Sequence, residues 1–348
     1  MSPSAPTRPY DTLVVPEMHV ESSSNALNQD PTTTDLMVCI RGSDMITRRH
    51  LLAGSAATLV APIAVSTAMA QTQAARVTIL FDAFGRPSDL KRGWGYSSLI
   101  EYGGRRILFD TGSNGANFEH NVKSLGIGLE KLDFVVISHR HNDHTAGLHH
   151  VLRDNPSLTI YTPVEGAGFN GQTGPALMNL IKRYVASVPD DMRYFGGNPP
   201  TENRSESPWP GARFVQITEP KEVLPGFFLF TTRSEVPGTR EMNEISLVIK
   251  TPKGGVLVVG CSHPGIERLV EAATKIDSQL YEVFGGFHLV DIPDDKVTEM
   301  VTAFRDKWKI ERMAAGHCTG QFAFAELIRV FGPRFDPAGV GSVISLPS

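Results

Sequence analysis

Between residues 138 and 144 the chain reads Ser138-His139-Arg140-His141-Asn142-Asp143-His144, with three imidazoles and a carboxylate in six consecutive positions. In an extended segment, residues two apart point the same way, so His139 and His141 share a face. Asp143 and His144 follow where the chain turns. Two imidazoles can then serve one metal ion, and a carboxylate with an imidazole a second. Neutral imidazole and carboxylate suit zinc, iron or manganese. A polar surface loop has no physical reason to gather this set.

Further histidines stand in matching settings. His263 lies in Gly260-Cys261-Ser262-His263-Pro264-Gly265, His288 in Gly285-Gly286-Phe287-His288-Leu289, and His317 in Gly316-His317-Cys318-Thr319-Gly320. Each follows an apolar, strand-like run, and α/β proteins place their sites at strand ends. The adjacent glycines let backbones approach closely. Asp110, in Leu108-Phe109-Asp110-Thr111-Gly112, ends another such run. A carboxylate there would orient a ligand histidine from behind; a plain turn aspartate is the alternative. His120, His149 and His150 read as helix-surface residues.

The elements that must position these groups can be traced from Ala75 onward. Strand patterns cover 77–83, 97–102 and 106–110, with Gly103-Gly104 as a hairpin signal. A helix is expected over 116–131 with Leu125 and Leu129 inward, then a continuous apolar strand over 132–138, as in a strand covered on both faces. A helical stretch at 145–152 and a strand at 158–162 follow. Residues 165–212 are rich in Gly, Pro, Asn and Ser, with one helix expected at 176–187. This reads as an insertion over the core. Its Phe169, Tyr184, Tyr194, Phe195 and Trp209 form either a satellite core, the favoured reading, or a stacking surface. Strands return at 214–218, 226–232, 245–251 and 255–260. After them, helices at 266–275, 295–308 and 321–331 alternate with strands at 281–285 and 311–315. Two strand-rich halves, each ending in helices, hint at a duplicated α/β plan built as a sandwich of sheets with helices outside.

The first seventy residues have another character. Residues 1–44 are polar and aperiodic, the composition of a disordered tail or of a start codon placed too early. Met45 opens a new pattern: Arg48-Arg49, an apolar run from Leu51 to Val65, then Ala68-Met69-Ala70 before Gln71. A positive region, a short apolar region and a small-x-small site make a secretory signal, and the paired arginines make it similar to a twin-arginine signal. The run is shorter than the ~20 apolar residues of a membrane span. Met45, or Met37, is therefore the expected initiator, and a periplasmic or otherwise exported domain over 71–348 the expected product. The twin-arginine export machinery is then a partner, and no stable membrane span remains after cleavage.

The set Phe109-Asp110-Thr111-Gly112, the His-x-His-x-Asp-His run and the later single histidines resemble the metallo-β-lactamase superfamily. Glu244-Ile245-Ser246-Leu247 and the motifs around His263, His288 and His317 are similar to a narrower branch, the 7,8-dihydropterin-6-methyl-4-(β-D-ribofuranosyl)aminobenzene-5′-phosphate synthase-like proteins. The resemblance covers roughly residues 75–345. It implies an α/β fold, a four-layered αββα sandwich with one or two divalent metal ions at one edge between two sheets. It also implies His139, His141 and His263 as ligands of one ion, and Asp143, His144 and His317 as ligands of a second. Many members have a bridging aspartate about where His288 falls here. His288 is then a terminal ligand or a substrate-facing group. Cysteines occupy the places of Cys261 and Cys318 in this branch without being the usual ligands, so packing or support of the ligands is expected of them. Three cysteines in all make no disulfide framework.

The chemistry expected is hydrolysis by a metal-bound hydroxide, with Asp143 as catalytic group and zinc ahead of iron or manganese. The substrate would be a small-molecule ester, lactone or phosphoester. A dihydropterin-related phosphate synthase and a non-catalytic metal-dependent binding protein are the alternatives. A formal charge of −4 gives no basic footprint for nucleic acid. The oligomeric state stays open.

Overall fold

In Val256-Leu257-Val258-Val259 successive side chains point to opposite faces, and both faces are apolar. Val256 and Val258 enter a core shared by two sheets, whereas Leu257 and Val259 enter a second core against helices. A sheet apolar on both sides must be covered on both sides, and that requirement produces the layers seen here.

A computed structural model describes residues 75–347 apart from position 87, the stretches 166–168, 170–171, 174–188, 199–202 and 205–206, and positions 238, 240 and 241. The expected signal segment at 45–70 and the insertion helix at 176–187 lie outside the described residues. The chain begins with β1 (Arg76–Phe81), β2 (Ser97–Tyr102), β3 (Arg105–Phe109), α1 (Gly115–Ser124), β4 (Phe134–Val136), α2 (Asn142–Thr145), α3 (Leu148–Asp154) and β5 (Thr159–Pro163). Two short strands, β6 (Gln172–Thr173) and β7 (Asn203–Arg204), pair within the 165–212 region, and β8 (Arg213–Ile217) closes it. Then come β9 (Lys221–Leu224), β10 (Phe227–Arg233), β11 (Asn243–Thr251), β12 (Gly254–Val259), α4 (Ile266–Thr274), β13 (Leu280–Gly286) and α5 (Asp294–Asp306). The chain ends with β14 (Arg312–Gly316), α6 (Gln321–Phe331), β15 (Phe335–Pro337) and β16 (Val343–Ser345).

Two seven-stranded sheets result, ordered β16-β1-β2-β3-β4-β5-β8 and β15-β14-β13-β12-β11-β10-β9. Each is antiparallel in one half and parallel in the other, the parallel runs being β3-β4-β5-β8 and β12-β13-β14-β15. The repeated plan matches the duplication suggested by the sequence. Ile79, Ile107, Val136, Leu247, Val258 and Phe284 meet between the sheets. Leu108, Phe118, Val135 and Val151 join a core that includes α1 and α3, and Leu257, Leu269, Val301 and Leu327 join one that includes α4, α5 and α6. This is the four-layered αββα sandwich. Among the described residues no helix is long and apolar enough to cross a membrane.

Two helices and three short strands differ from the sequence expectation. The helix expected over 116–131 stops at Ser124, because Gly126 takes a left-handed φ of 65°. Its N–H reaches the Lys123 carbonyl while that of Ile127 reaches Val122, the double bond by which a glycine after a helix satisfies the last carbonyls. Leu129 is still buried, but from the loop that follows. The helical stretch at 145–152 is two helices, α2 and α3, broken at Ala146-Gly147. β9, β15 and β16 are strands of three or four residues with too little periodicity to register. The last of them returns the chain terminus to the first sheet, pairing Val77 with Ile344.

Candidate metal centre

β3, β4, β12, β13 and β14 run parallel within their sheets, and their carboxyl ends carry Asp110, His139, His263, His288 and His317 in turn. Side chains far apart in sequence therefore gather at one edge, where open α/β sheets bind ligands. The two sheets are stitched there by a backbone bond from Ile245 N–H to the Ser138 carbonyl, 2.8 Å.

At the end of β4, His139 and His141 converge, with Nε2 of the first 3.1 Å from Nδ1 of the second. Two nitrogens bound to one tetrahedral zinc at ~2.0–2.1 Å lie about 3.4 Å apart. The His263 ring centroid is 4.8 Å from the rings of both. On the other side, Asp143 Oδ2 lies 3.6 Å from His144 Nε2 and 3.5 Å from His317 Nε2. The His144 and His317 rings are 5.0 Å apart. His288 stacks beside His263 at 4.4 Å. The structure thus brings His139, His141, Asp143, His144, His263, His288 and His317 into one cluster. The same cluster excludes His120 on α1 and His149 and His150 on α3: His120 Nε2 lies 3.0 Å from the Asp89 carbonyl, His150 Nδ1 lies 3.2 Å from Glu119, and the His149 and His150 rings are 3.9 Å apart.

Buried carboxylates hold this cluster in shape. Asp110 Oδ2 accepts from Ser138 Oγ and bonds His144 Nδ1, both at 2.7 Å, while Oδ1 accepts the Ser138 N–H at 2.7 Å. His144 is thereby fixed with Nε2 free to face the centre, the arrangement that orients a ligand imidazole. Asp110→Asn keeps the shape but replaces one acceptor by a donor, so metal affinity should fall by about 10–100-fold. A competition titration against a chromogenic chelator measures this, and an unchanged affinity would remove Asp110 from that role.

Two supports had no warning in the sequence reading. Glu244 Oε1 accepts the N–H groups of Cys261 and Ser262, at 2.9 and 2.7 Å, and Oε2 accepts that of His263 at 2.8 Å. Asp82, just past β1, accepts the His317 N–H at 2.8 Å. Glu244 stood in a family motif, but neither carboxylate carries a spacing signal to the histidines. Burial pushes the carboxyl of Asp110 up to about 8, and those of Glu244 and Asp82 up to about 7.

The backbone is under unusual demand here. Among the described residues five non-glycine residues have positive φ, and four lie in this cluster: Asp110 (59°), Ser262 (67°), His288 (49°) and His317 (51°). Such conformations persist where the surroundings over-determine them, and they gather at functional sites. At Gly260 a Cβ would come within 2.2 Å of Ser138 Oγ and 2.9 Å of Asp110 Oδ2. Only a glycine lets the loop after β12 lie against the loop after β4.

The donor set fits a divalent cation. His144 Nε2, both ring nitrogens of His263 and His317 Nδ1 are buried without a hydrogen-bond partner. Each such atom costs about 1–3 kcal/mol if left bare, and a metal would use the inward-facing lone pairs. Burial lowers the pKa of His139 well below its ordinary value and brings His144 and His263 to about 3. These three rings are therefore in the neutral form that binds metal, whereas His317, although burial works against its charge, is raised to about 9 by the neighbouring Cys318, Asp82 and Asp143. The cluster opens on a cavity of about 510 Å³ lined by Trp94, Ser113, His141, Asp143, Cys261 and His288, among others. Trp94 stands 5.3 Å from the His317 ring at its mouth. Phe169 and Trp209 pack against Phe214 and join the core that includes α1 and α3, rather than forming a separate satellite core. Tyr184 and the side chains of Tyr194 and Phe195 lie outside the described residues.

A family model described as the metallo-beta-lactamase superfamily matches residues 92–309, more than half of the 348-residue chain. The chain belongs to the metallo-β-lactamase superfamily. It is 28% identical over 298 residues to the 7,8-dihydropterin-6-methyl-4-(beta-D-ribofuranosyl)-aminobenzene-5'-phosphate synthase of Methanocaldococcus jannaschii, covering 77% of this chain and 95% of that protein. It is also 29% identical over 266 residues to the uncharacterized protein MJ0448 of the same organism, covering 72% and 93%. The solved structure of Tm1679, described as a metal-dependent hydrolase of the beta-lactamase superfamily, has a TM-score of 0.58 at 23% identity. That likeness covers 79% of this chain and 100% of the other, and it shows the fold. The metallo-β-lactamase fold is that of an enzyme family, and the His, Cys and Asp clusters of this member are compatible with divalent metal.

Proposed function

We propose that this metallo-β-lactamase-fold protein is an exported, metal-dependent hydrolase of small molecules. His139, His141 and His263 would hold one ion, and Asp143, His144 and His317 a second. The observation that carries the reading is the set of buried imidazole nitrogens with no partner, on His144, His263 and His317, gathered beside an open cavity. A donor set dominated by imidazole suits zinc, with iron or manganese as the rivals. A cation held there supplies Lewis acidity and lowers the pKa of water toward neutrality.

The chain's own residues do the rest. Asp143, part-exposed on the cavity wall, accepts a hydrogen from the attacking water and orients it. Trp94 offers an apolar wall to the substrate, and His288 a hydrogen-bonding one. His144 cannot turn, because Asp110 holds its other nitrogen. The electrophile is the carbonyl carbon of an ester or lactone, or the phosphorus of a phosphoester. The 28% identity to a phosphate synthase favours a second reading, transfer of a phosphoryl-bearing group to an acceptor other than water.

Removing metal from the full chain with a chelator should abolish turnover of p-nitrophenyl esters, lactones and phosphodiesters, and adding zinc should restore it. The metal-free protein should also melt lower, since a ligand at about 1,000 times its Kd stabilises by ~4 kcal/mol. Hydrolysis that survives full removal of metal would refute the reading. Turnover that requires a second organic acceptor would favour the transferase.

Export rests on the Arg48-Arg49 pair, the apolar run after it and Ala68-Met69-Ala70. The protein recovered from the periplasm should begin near Gln71 on N-terminal sequencing. Residues 1–36 still attached would end the proposal.

A further inference from the structure

Cys261 sits where both halves of the candidate centre meet. Its Sγ is within 4.8 Å of donor atoms of His139 and His263 on one side, and of His144 and His317 on the other. It is 3.5 Å from His317 Nε2 and 3.5 Å from His288 Nδ1. With Zn–S at ~2.3 Å and Zn–N at ~2.0–2.1 Å, a sulfur and a nitrogen on one tetrahedral ion lie about 3.6 Å apart. The backbone fixes the thiol in place, because Glu244 holds the Cys261 N–H.

Charge supports the same reading. Two divalent ions so close need anionic donors between them, since imidazoles contribute no charge. Asp82, Asp110 and Glu244 already accept backbone or side-chain hydrogens and stand behind the ligands. Among the described residues that leaves Asp143, which lies toward His144 and His317. Cys318 is the less suited thiol. Its Sγ, 3.2 Å from that of Cys261, donates to the Cys261 carbonyl at 3.3 Å.

We infer that Cys261 is a metal ligand shared by both halves of the centre, with Cys318 as its supporting thiol. This rests on the metal-centre reading above and goes beyond the role expected from sequence, in which both cysteines pack around the ligands or support them. Binding exchanges the thiol proton for a metal–sulfur bond, and the proton leaves to solvent. No electron transfer is involved.

The test is cobalt(II) titration of the metal-stripped full chain, read as bound equivalents and as near-ultraviolet absorbance. The wild type should take up two equivalents and show a sulfur-to-cobalt charge-transfer band. Cys318→Ser should keep the band, whereas Cys261→Ser should lose it and bind the metal more weakly. Two equivalents bound by the wild type without a thiolate band would overturn the inference while leaving the metal centre standing. A band that survives Cys261→Ser would overturn it as well. No uptake at all by the wild type would overturn both. Should Cys261→Ser fail to fold by circular dichroism, the Cys318→Ser spectrum decides: with the second thiol of the cluster gone, a retained band assigns the ligand to Cys261, and a lost band overturns the inference.

Discussion

Asp143→Ala is expected to cut hydrolytic turnover by roughly 10³-fold, at the upper end of what one removed electrostatic group costs an enzyme, while the protein stays folded. The carboxylate does two things that alanine cannot. It completes the donor set with His144 and His317, and it presents an oxygen to the cavity. The fold does not lean on it: its nearest polar neighbours are imidazole nitrogens at 3.5 and 3.6 Å, beyond a normal hydrogen bond. The local backbone is held independently, with the Asp143 carbonyl accepting the Tyr96 N–H at 3.2 Å. The urea midpoint of the metal-free variant should therefore match that of the metal-free wild type. The loss should appear in kcat/KM on whichever ester, lactone or phosphoester the wild type turns over, together with a reduced metal content. Full turnover in the variant would remove Asp143 from the centre.

How far the site could be read from sequence follows the distance between its parts. His139, His141, Asp143 and His144 fall within six residues, so local geometry alone announces them. His263, His288 and His317 were readable for a weaker reason: each follows an apolar run and has glycines beside it. Asp82 had neither mark. It fell inside the strand pattern expected over 77–83, and only the tertiary fold, which brings the end of β1 to the end of β14, carries it to the His317 N–H, 235 positions away. The same limit applies to Cys261. Its spacing to His263 said nothing of its closeness to His317 and Cys318, which depends on the neighbouring β13 and β14.

The layers followed from periodicity, because strands apolar on both faces leave few other arrangements. Boundaries were harder. Leu125 and Leu129 kept a helical spacing past the point where Gly126 ends α1, so the pattern of burial outlived the helix. The short edge strands escaped because three or four residues cannot establish a period.

The second large effect concerns stability. Glu244→Ala should destabilise the protein by about 3–5 kcal/mol, because three buried N–H groups lose their acceptor and each orphan costs about 1–3 kcal/mol. The three belong to Cys261, Ser262 and His263, the loop that brings a histidine and a thiol to the centre. Ser262 holds a φ of 67° there, a conformation that persists only while its surroundings enforce it. Without the carboxylate the loop can relax toward an ordinary backbone, and His263 then moves with it. The variant should therefore show a lower urea midpoint and a weaker affinity for metal. Asp143→Ala should separate these effects, losing metal and activity but not apo-protein stability. Glu244→Gln is the sharper comparison. Its amide still offers one oxygen, but its NH₂ must face a backbone N–H, so part of the loss should persist although size and shape are kept. A Glu244→Gln protein as stable as the wild type would mean that this side chain serves by filling space, not by accepting three hydrogen bonds.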